Sequence, residues 1–582
     1  MSSALGIVPS AKGRDLGTCR YRLLATHCLD DRHTLMLFWA PRLSGKMVLS
    51  ACPRRTNNKR CRELKLINPN TPVLIGGGQF TYRGAPEACP PPIGLCARAA
   101  EAAVADSGLN REVLSQIDGL AVVGFTIDAG GNLSRMPIPK AKNPPKALAK
   151  ALGAAPAWQT YTHVGGNTPQ ALVNEAAERI AKGDNKLVLL AGAEFLGSMM
   201  KLVQAGNFGP LAAYQVEDEE APAMFGDGRD GCSPYEARHG LEFPTNVYPI
   251  FENAYRAKLG RSLEAHARAM GALFAPFTEV AAQNPYAWFP QAQTAEALVT
   301  PGASNRMVGF PYPKRLNAII QVDQSAAVLL ASYAHAKSLG VADAQMVFLH
   351  GCADTIEKWN VLDRVDYHSS PAMRVGVREA FAMAGKTLAD MAFFDLYSCF
   401  PVAVEIAAQE MGLTTDDPRG LTLTGGLPYF GGPGNNYSMH GIVEMIHRCR
   451  KEPRAFGFLN ANGWFLTKHA FGIYSCQPTT GAWSRPSKTA YQGEIDAMAS
   501  PEVTETPVGA ATIETYTVIH AREGMRMGIV IGRDEAGRRF VANTPKGDTA
   551  IMADLESREG VGRKGWVVQD GACNIFTPQE FL

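Results

Sequence analysis

The stretch Thr424 to Arg448, TGGLPYFGGPGNNYSMHGIVEMIHR, constrains the fold of this chain more than any other. A short apolar strand, Leu421 to Thr424, runs into a glycine-rich turn, and the turn opens a helix. Gly425, Gly426, Gly431, Gly432 and Gly434 let the backbone take positive φ or come close to another chain or a ligand. Ser438 is the expected N-cap, and Met439, Ile442, Val443 and Ile446 follow at helical spacing on one apolar face. The amides and positive dipole end of such a helix point at whatever the loop surrounds. That geometry suits an anion or an oxyanion.

The same pattern occurs once before. Gly165-Gly166-Asn167-Thr168-Pro169 follows a strand-like Gln159 to Val164 and opens a helix whose apolar positions are Val173, Ala176, Ala177 and Ile180. Laying Gly165-Gly166 on Gly431-Gly432 brings those four positions onto Met439, Ile442, Val443 and Ile446. The best N-caps, Thr168 and Ser438, do not coincide, so the register is good to two or three residues. Both helices lead through a basic turn into an apolar strand, Lys186 to Ala191 and Ala455 to Asn460. The chain therefore contains a duplicated strand–loop–helix–strand unit.

Around these units, apolar strands alternate with helices. Thr71 to Gly77 and Gly119 to Gly124 are strands, and Ile93 to Ala105 and Pro145 to Leu152 are helices. The alternation resumes at Asn317 to Val322, Ala326 to Ser332 and Met346 to His350. It continues with helix Pro371 to Ala384, strand Ala392 to Cys399, helix Val402 to Met411, and strands Ala455 to Gly463 and Ala470 to Cys476. Strands apolar throughout and alternating with helices imply a parallel sheet covered on both faces. GGGQF after the first strand is not GxGxxG and no GxxxxGK[ST] occurs, so a nucleotide-binding loop is not indicated.

These features divide the chain. Residues 1–68 form a basic extension with 13 Lys or Arg against four acids in its first 65 residues, read as a disordered tail. Residues 69–345 form a first half with an insertion at about 196–310, and residues 346–482 form a second half. Residues 490–582 change texture. Ala511 to His520, Met525 to Arg533, Arg538 to Asn543 and Trp566 to Val568 read as strands of a small all-β, OB-like barrel of about five strands. Its arginines and Lys564 are offset by Asp534, Asp554, Glu556 and Glu559, and aromatics are few, which argues against nucleic acid. A net charge of +2 argues the same way. No apolar run approaches the ~18–20 residues of a membrane helix. The 12 cysteines show no CxxC spacing, so disulfides are not expected and a reducing, cytoplasmic setting is. No His/Cys/Asp cluster has metal spacing, and no metal is expected.

The runs NAYRAKLG, AAQNPYAWF, VDQSAA, DLYSCFPVAVEIA, TGGLPYFGGPGNNYSMHGI and ANGWFLTKHAFGIYS resemble the thiolase superfamily. They are similar in particular to thiolase-like proteins labelled acetyl-CoA acetyltransferases, of the type with an additional C-terminal domain. The resemblance covers about Pro69 to Pro478 and implies a five-layer αβαβα core. It also implies an acyltransferase handling coenzyme A thioesters, with no tightly bound cofactor. Family thiolases pair through their sheets, so a homodimer or a protein partner is a further expectation.

A working thiolase uses a nucleophilic Cys at the first loop's helix, a His at the matching second loop, a proton-moving Cys-x-Gly turn and an oxyanion hole. Carried over, the nucleophile position falls at Gly165, Gly166 and Asn167, and the Gly-His-Pro turn at Gly431-Gly432-Pro433. The His-Asp-Cys-Phe stretch falls at Tyr397-Ser398-Cys399-Phe400, and the Cys-x-Gly turn at Asn460 to Gly463. All four depart from the pattern, which makes a covalent acyl-enzyme hard to support. Cys399 is the surviving thiol of the central strand, with burial as its blander account. His440 and His469 are candidate polar groups at the centre, and Tyr397 and Asn462 candidate carbonyl binders. Gly165, Gly166, Asn167, Gly431 and Gly432 are the candidate ligand-binding loops. His163 reads as a strand-end histidine, and His350 to Asp354 as a turn. The alternative to an altered acyltransferase is a catalytically silent acyl-CoA-binding or partner-binding protein in lipid metabolism.

Overall fold

Apolar strands need a cover on each face, and the chain supplies three layers of helix for its two runs of strand. The computed structural model describes residues 67–128, 140–214 and 220–582. The chain divides into two units, Met1–Leu64 and Lys65–Leu582, and every described residue belongs to the second. The expectation for the basic extension lies outside the described residues.

The first half contributes β1 (Pro72–Thr81), β2 (Gly119–Val122), β3 (Trp158–Thr162) and β4 (Leu187–Phe195). Its insertion carries β5 (Met224–Phe225), β6 (Met307–Gly309) and β7 (Tyr312–Pro313), and β8 (Asp323–Ser332) completes it. The second half contributes β9 (Val347–Ile356), β10 (Met391–Asp395), β11 (Phe456–Gly463) and β12 (Lys468–Ser475). Among the described residues the order is β10-β11-β12-β9-β1-β8-β4-β2-β3-β5. Thus β2-β4-β8-β1 in one half reappears as β10-β11-β12-β9 in the other. An antiparallel pairing of Val73 with Phe348 and Leu74 with Val347 joins them. Because β8 and β12 return beside their neighbours in antiparallel pairing, the sheet is mixed and not parallel as the alternation suggests.

Helices α1 (Pro92–Asp106) and α2 (Pro144–Leu152) cover the outer face of the first half. Next comes α3 (Thr168–Lys182), followed by the insertion helices α4 (Leu196–Gln204), α5 (Pro234–Arg238), α6 (Pro244–Lys258), α7 (Leu263–Gln283) and α8 (Ala295–Val299). Then follow α9 (Tyr333–Ser338), α10 (Pro371–Ala384), α11 (Pro401–Met411) and α12 (Tyr437–Lys451). The central layer is α3 with α12. Val173, Ala177 and Ile180 pack with Ile442, Val443 and Ile446 against Leu190 and Val328 of one half and Leu459 and Ala470 of the other. Helices α10 and α11 cover the remaining face.

Helices α3 and α12 both span 15 residues. Matching their starts puts Gly165 on Gly434, not on Gly431, and Val173, Ala176, Ala177 and Ile180 on Ile442, Met445, Ile446 and Cys449. All of these apolar residues are buried. The three-residue correction is physical, because an apolar stripe of period 3.6 looks much the same after a shift of three. The N-cap positions are Asn167 and Asn436. Thr168 and Ser438 instead donate to carbonyls, of Gly165 and Gly166.

Leu421 to Thr424 forms no strand. The amide of Leu423 donates to Asp395 Oδ1 at 2.8 Å and Leu396 N to Leu421 O at 2.9 Å, so a buried carboxylate takes what a ladder would have used. Asn317 to Val322 is likewise irregular, Ala318 N donating to Cys399 O and Ile319 N to Leu427 O.

The C-terminal region begins with α13 (Lys488–Asp496) and closes a five-stranded, OB-like barrel. Its strands are β13 (Gly509–Ala521), β14 (Gly524–Asp534), β15 (Arg539–Asn543), β16 (Lys564–Asp570) and β17 (Cys573–Pro578). The order runs β13-β14-β15-β17-β16 and back to β13. Sequence reasoning missed α14 (Thr549–Ser557), whose Ile551 and Leu555 pack on Tyr516 and Phe540. The insertion hairpin β6–β7 extends this sheet, Gly309 pairing with Ile519. Arg256 makes a bidentate ion pair with Glu559 at 2.6 Å, and Asn253 donates to Tyr516 O at 2.9 Å. Among the described residues no helix is long and apolar enough to cross a membrane.

Candidate active site at the start of the first central helix

The amino ends of α3 and α12 meet directly. Gly165 N donates to Asn435 Oδ1 at 2.8 Å, Asn435 Nδ2 donates to Gly124 O at 2.7 Å, and Ser438 Oγ donates to Gly166 O at 2.6 Å. A Cβ on Gly166 would sit 2.2 Å from Tyr397 Oη and 2.5 Å from the Asn462 carbonyl. Only glycine allows that approach, which sets Tyr397 and the end of β11 against the first loop. Among the described residues, no protein acceptor takes the amides of Gly166 and Asn167. Asn167 Oδ1 is buried and unpartnered.

Lys468 enters this site. Its Nζ donates to Val164 O at 2.5 Å and lies 3.5 Å from Asp227 O, with the side chain against Gly165. The residue is 4% exposed, and no carboxylate among the described residues pairs with it. Burial pulls its pKa down to about 8, Asp227 resisting the fall and Arg229 adding to it. Side chains alternate along a strand, so Lys468 faces α3 while its neighbour His469 faces away. The His469 Nε2 contacts Leu466 O at 3.0 Å, and burial lowers its pKa to about 3. Asn462 pairs with His469 across the hairpin and shares its face. The Asn462 Nδ2 donates to Tyr248 Oη at 2.8 Å. Cys399 lies beside that same hydroxyl, and burial pushes its thiol up to about 12, so at neutral pH it is no thiolate.

The second loop differs. A Cβ on Gly431 would lie 2.4 Å from Gln324 Oε1, and Gly432 N donates to Ile319 O at 2.7 Å, so both glycines pack on the segments around β8. His440 is fully buried, its ring centroid 5.0 Å from that of Phe430 and its Nδ1 2.7 Å from Gln79 Oε1. Burial lowers its pKa to about 3. The structure thus brings together Gly165, Gly166, Asn167, Tyr397 and the Asn462 backbone. Asn462's amide and Cys399 form a layer behind them. His440, His469, Gly431 and Gly432 lie elsewhere.

A cavity of about 260 Å³ lies beyond the ends of β2 and β3, lined among others by Gly124, Tyr161, His163, Arg229 and Trp464. His163, read from sequence as a strand-end residue, places its ring on this wall. Arg229 pairs with Asp227 at 2.7 Å and lies 3.9 Å over the Trp359 ring. Trp464 and Leu466 hold φ of 54° and 55° in the β11–β12 turn. Such left-handed backbone in bulky residues is strained and commonly marks a functional site. Glu194, also missed, accepts from Thr126 N and Oγ1 at 2.8 and 2.6 Å, and burial raises its pKa to about 8. A nearby Pro or Gly could have flagged neither Lys468 nor Glu194. The strand face of Lys468 was the one usable signal.

A solved structure of a monomeric SCP2-thiolase-like protein type 1 from Mycobacterium smegmatis is 38% identical, with a TM-score of 0.74 over 88% of this chain and 100% of that chain. The chain belongs to this thiolase-like family. Residues 491–572 match the family model described as the thiolase-like protein type 1 additional C-terminal domain, which covers most of the barrel. The thiolase-like fold is also shared with a structure titled Ltp2-ChsH2(DUF35) aldolase, at 19% identity and a TM-score of 0.51, over 70% of this chain and 98% of that one. Comparison with curated proteins finds no match.

Proposed function

We propose that this thiolase-like protein binds an acyl thioester of coenzyme A at the start of α3 and polarises its carbonyl without forming a covalent acyl-enzyme. One observation carries the reading: two acceptor-free amides, Gly166 and Asn167, stand at a helix amino end beside an ammonium, Lys468, that has no carboxylate partner. Donors preorganised in that way stabilise a developing oxyanion, and the helix dipole adds to them. No thiol is among the residues that contact this loop, and Cys399 stands behind Asn462 in its protonated form. The adjoining cavity takes the acyl group, and His163 on its wall is the group placed to move a proton at the α-carbon.

Coenzyme A, acetyl-CoA and acetoacetyl-CoA are to be titrated into the full chain by calorimetry, with intact-mass analysis of each mixture. The reading expects saturable binding of the thioesters and no added acetyl mass. A stable acetyl adduct on Cys399 would replace it with covalent catalysis. Absence of binding would remove the acyl-CoA assignment.

A further inference from the structure

A second chemistry-bearing cluster lies where the consecutive insertion helices α6 and α7 meet α11 of the second half. Glu252 on α6, His266 on α7 and Glu405 on α11 are 0%, 0% and 2% exposed. The His266 Nε2 is 2.5 Å from Glu252 Oε1, and Tyr312 Oη of β7 donates to the other oxygen of Glu252. Arg261 Nη1 stands 3.8 Å from Glu405 Oε1 and 3.5 Å from His266 Nδ1. One ligand-capable atom from each of the three residues lies within 4.8 Å of the other two. Glu405 Oε2 is buried and has no hydrogen-bond partner. The acyl site uses none of these groups.

Two adjacent carboxyls out of water cannot both stay ionised without a compensating charge. Burial raises Glu252 and Glu405 above the usual carboxylate range and pulls His266 down to about 4, leaving its imidazole neutral and able to ligate. Among the described residues the cation beside the carboxyls is Arg261, which is itself 38% exposed at its side chain. In the absence of a metal, acid protons must hold the cluster together.

We propose that Glu252, His266 and Glu405 form a structural site for one divalent cation of the zinc class, clamping the insertion helices α6 and α7 to α11 of the second half. Two carboxylates and an imidazole are a donor set that Zn²⁺ accepts, with Tyr312 or a water as fourth ligand. Bonds of about 2.0–2.2 Å would space the ligand atoms about 3.3 Å apart, so the His266–Glu252 pair, now at 2.5 Å, opens by somewhat under an ångström while separations of up to 4.8 Å close. On binding, the protons held by the carboxyl pair leave to solvent, His266 carries its ring proton on Nδ1, and Arg261 turns to solvent. Glu252 and His266 stand 14 residues apart and Glu405 far along the chain, a spacing that matches no local metal motif, so the sequence expectation of no metal could not see them. Because all three side chains are buried, the ion loads as the chain folds.

The test uses the full chain, purified without chelator from cells grown with added zinc. Mass-spectrometric metal analysis is expected to find about one Zn²⁺ per chain, retained through EDTA dialysis and released by guanidinium. Glu405→Gln, with its fold checked by circular dichroism, is expected to cut that content at least tenfold. Wild-type chain refolded with Zn²⁺ is expected to melt higher than chain refolded with EDTA, and the gap is to close in His266→Gln. Zinc below a tenth of an equivalent, with identical melting after both refolding treatments, would overturn the proposal and leave a proton-sharing carboxyl pair.

Discussion

The two central helices start alike and end up doing different things. Each spans 15 residues, follows a glycine loop and buries the same apolar stripe between the halves. The start of α3 holds the acceptor-free amides of Gly166 and Asn167 and the buried ammonium of Lys468, and the residues just before it, His163 and Val164, line a cavity. The second loop, before α12, is sealed by Gln324, Leu427 and Phe430, and its histidine is locked on Gln79. Duplication preserved the packing in both places. Among the described residues a buried ammonium stands only beside the first loop, and the proposed site rests on that asymmetry.

The largest expected effect separates the two loops sterically. Gly166→Ala drives a methyl into Tyr397 and the Asn462 backbone, and should cost about 3 kcal/mol in chemical denaturation and abolish thioester binding. Gly432→Ala meets its nearest atoms at 3.2 and 3.4 Å and should cost about 1 kcal/mol or less. Equal costs would break the comparison.

The next effect is electrostatic. Lys468→Met should weaken acetoacetyl-CoA binding about tenfold, the worth of one charge-assisted hydrogen bond. In the wild type the affinity should fall as pH rises through about 8, where Lys468 loses its proton, and the variant should lack that step. His440→Gln should leave affinity unchanged in the same titration. A reversed ranking would move the site to the second loop.

A smaller effect tests the contact between the helices. Asn435→Ala removes the acceptor for Gly165 N and the donor to Gly124 O, and should cost about 1–2 kcal/mol. The smallest effect concerns the buried rings. His440 and His469 have folded pKa values of about 3, below the unfolded value near 6.5. The unfolded chain then binds more protons, so stability is lost as pH falls below about 6.5. His440→Gln should flatten that slope in urea melts between pH 7 and 5, while melts above pH 7 keep their shape.

The repeat, the layers and the barrel were legible because each rests on periodicity. The apolar stripe of α3 announces a buried helix wherever it occurs, and alternation from Ala511 onward announces strands. The same periodicity hid the register, since Val173 fits Met439 or Ile442 equally well. Side-chain direction in the hairpin was hidden too. Lys468 and His469 are neighbours in sequence, and only the pairing of Gly463 with Lys468 decides which of them faces α3. Glu252, His266 and Glu405 leave no trace in sequence, because a cluster drawn from three helices has no spacing to read.

The hairpin Met307–Pro313 is numbered with the first half yet lies beside β13 of the barrel. A gene cut near residue 486 would leave each piece with a raw edge: one with a dangling hairpin, the other with a strand stripped of its neighbour. The terminal module and the hairpin that meets it are therefore expected to fold as one unit.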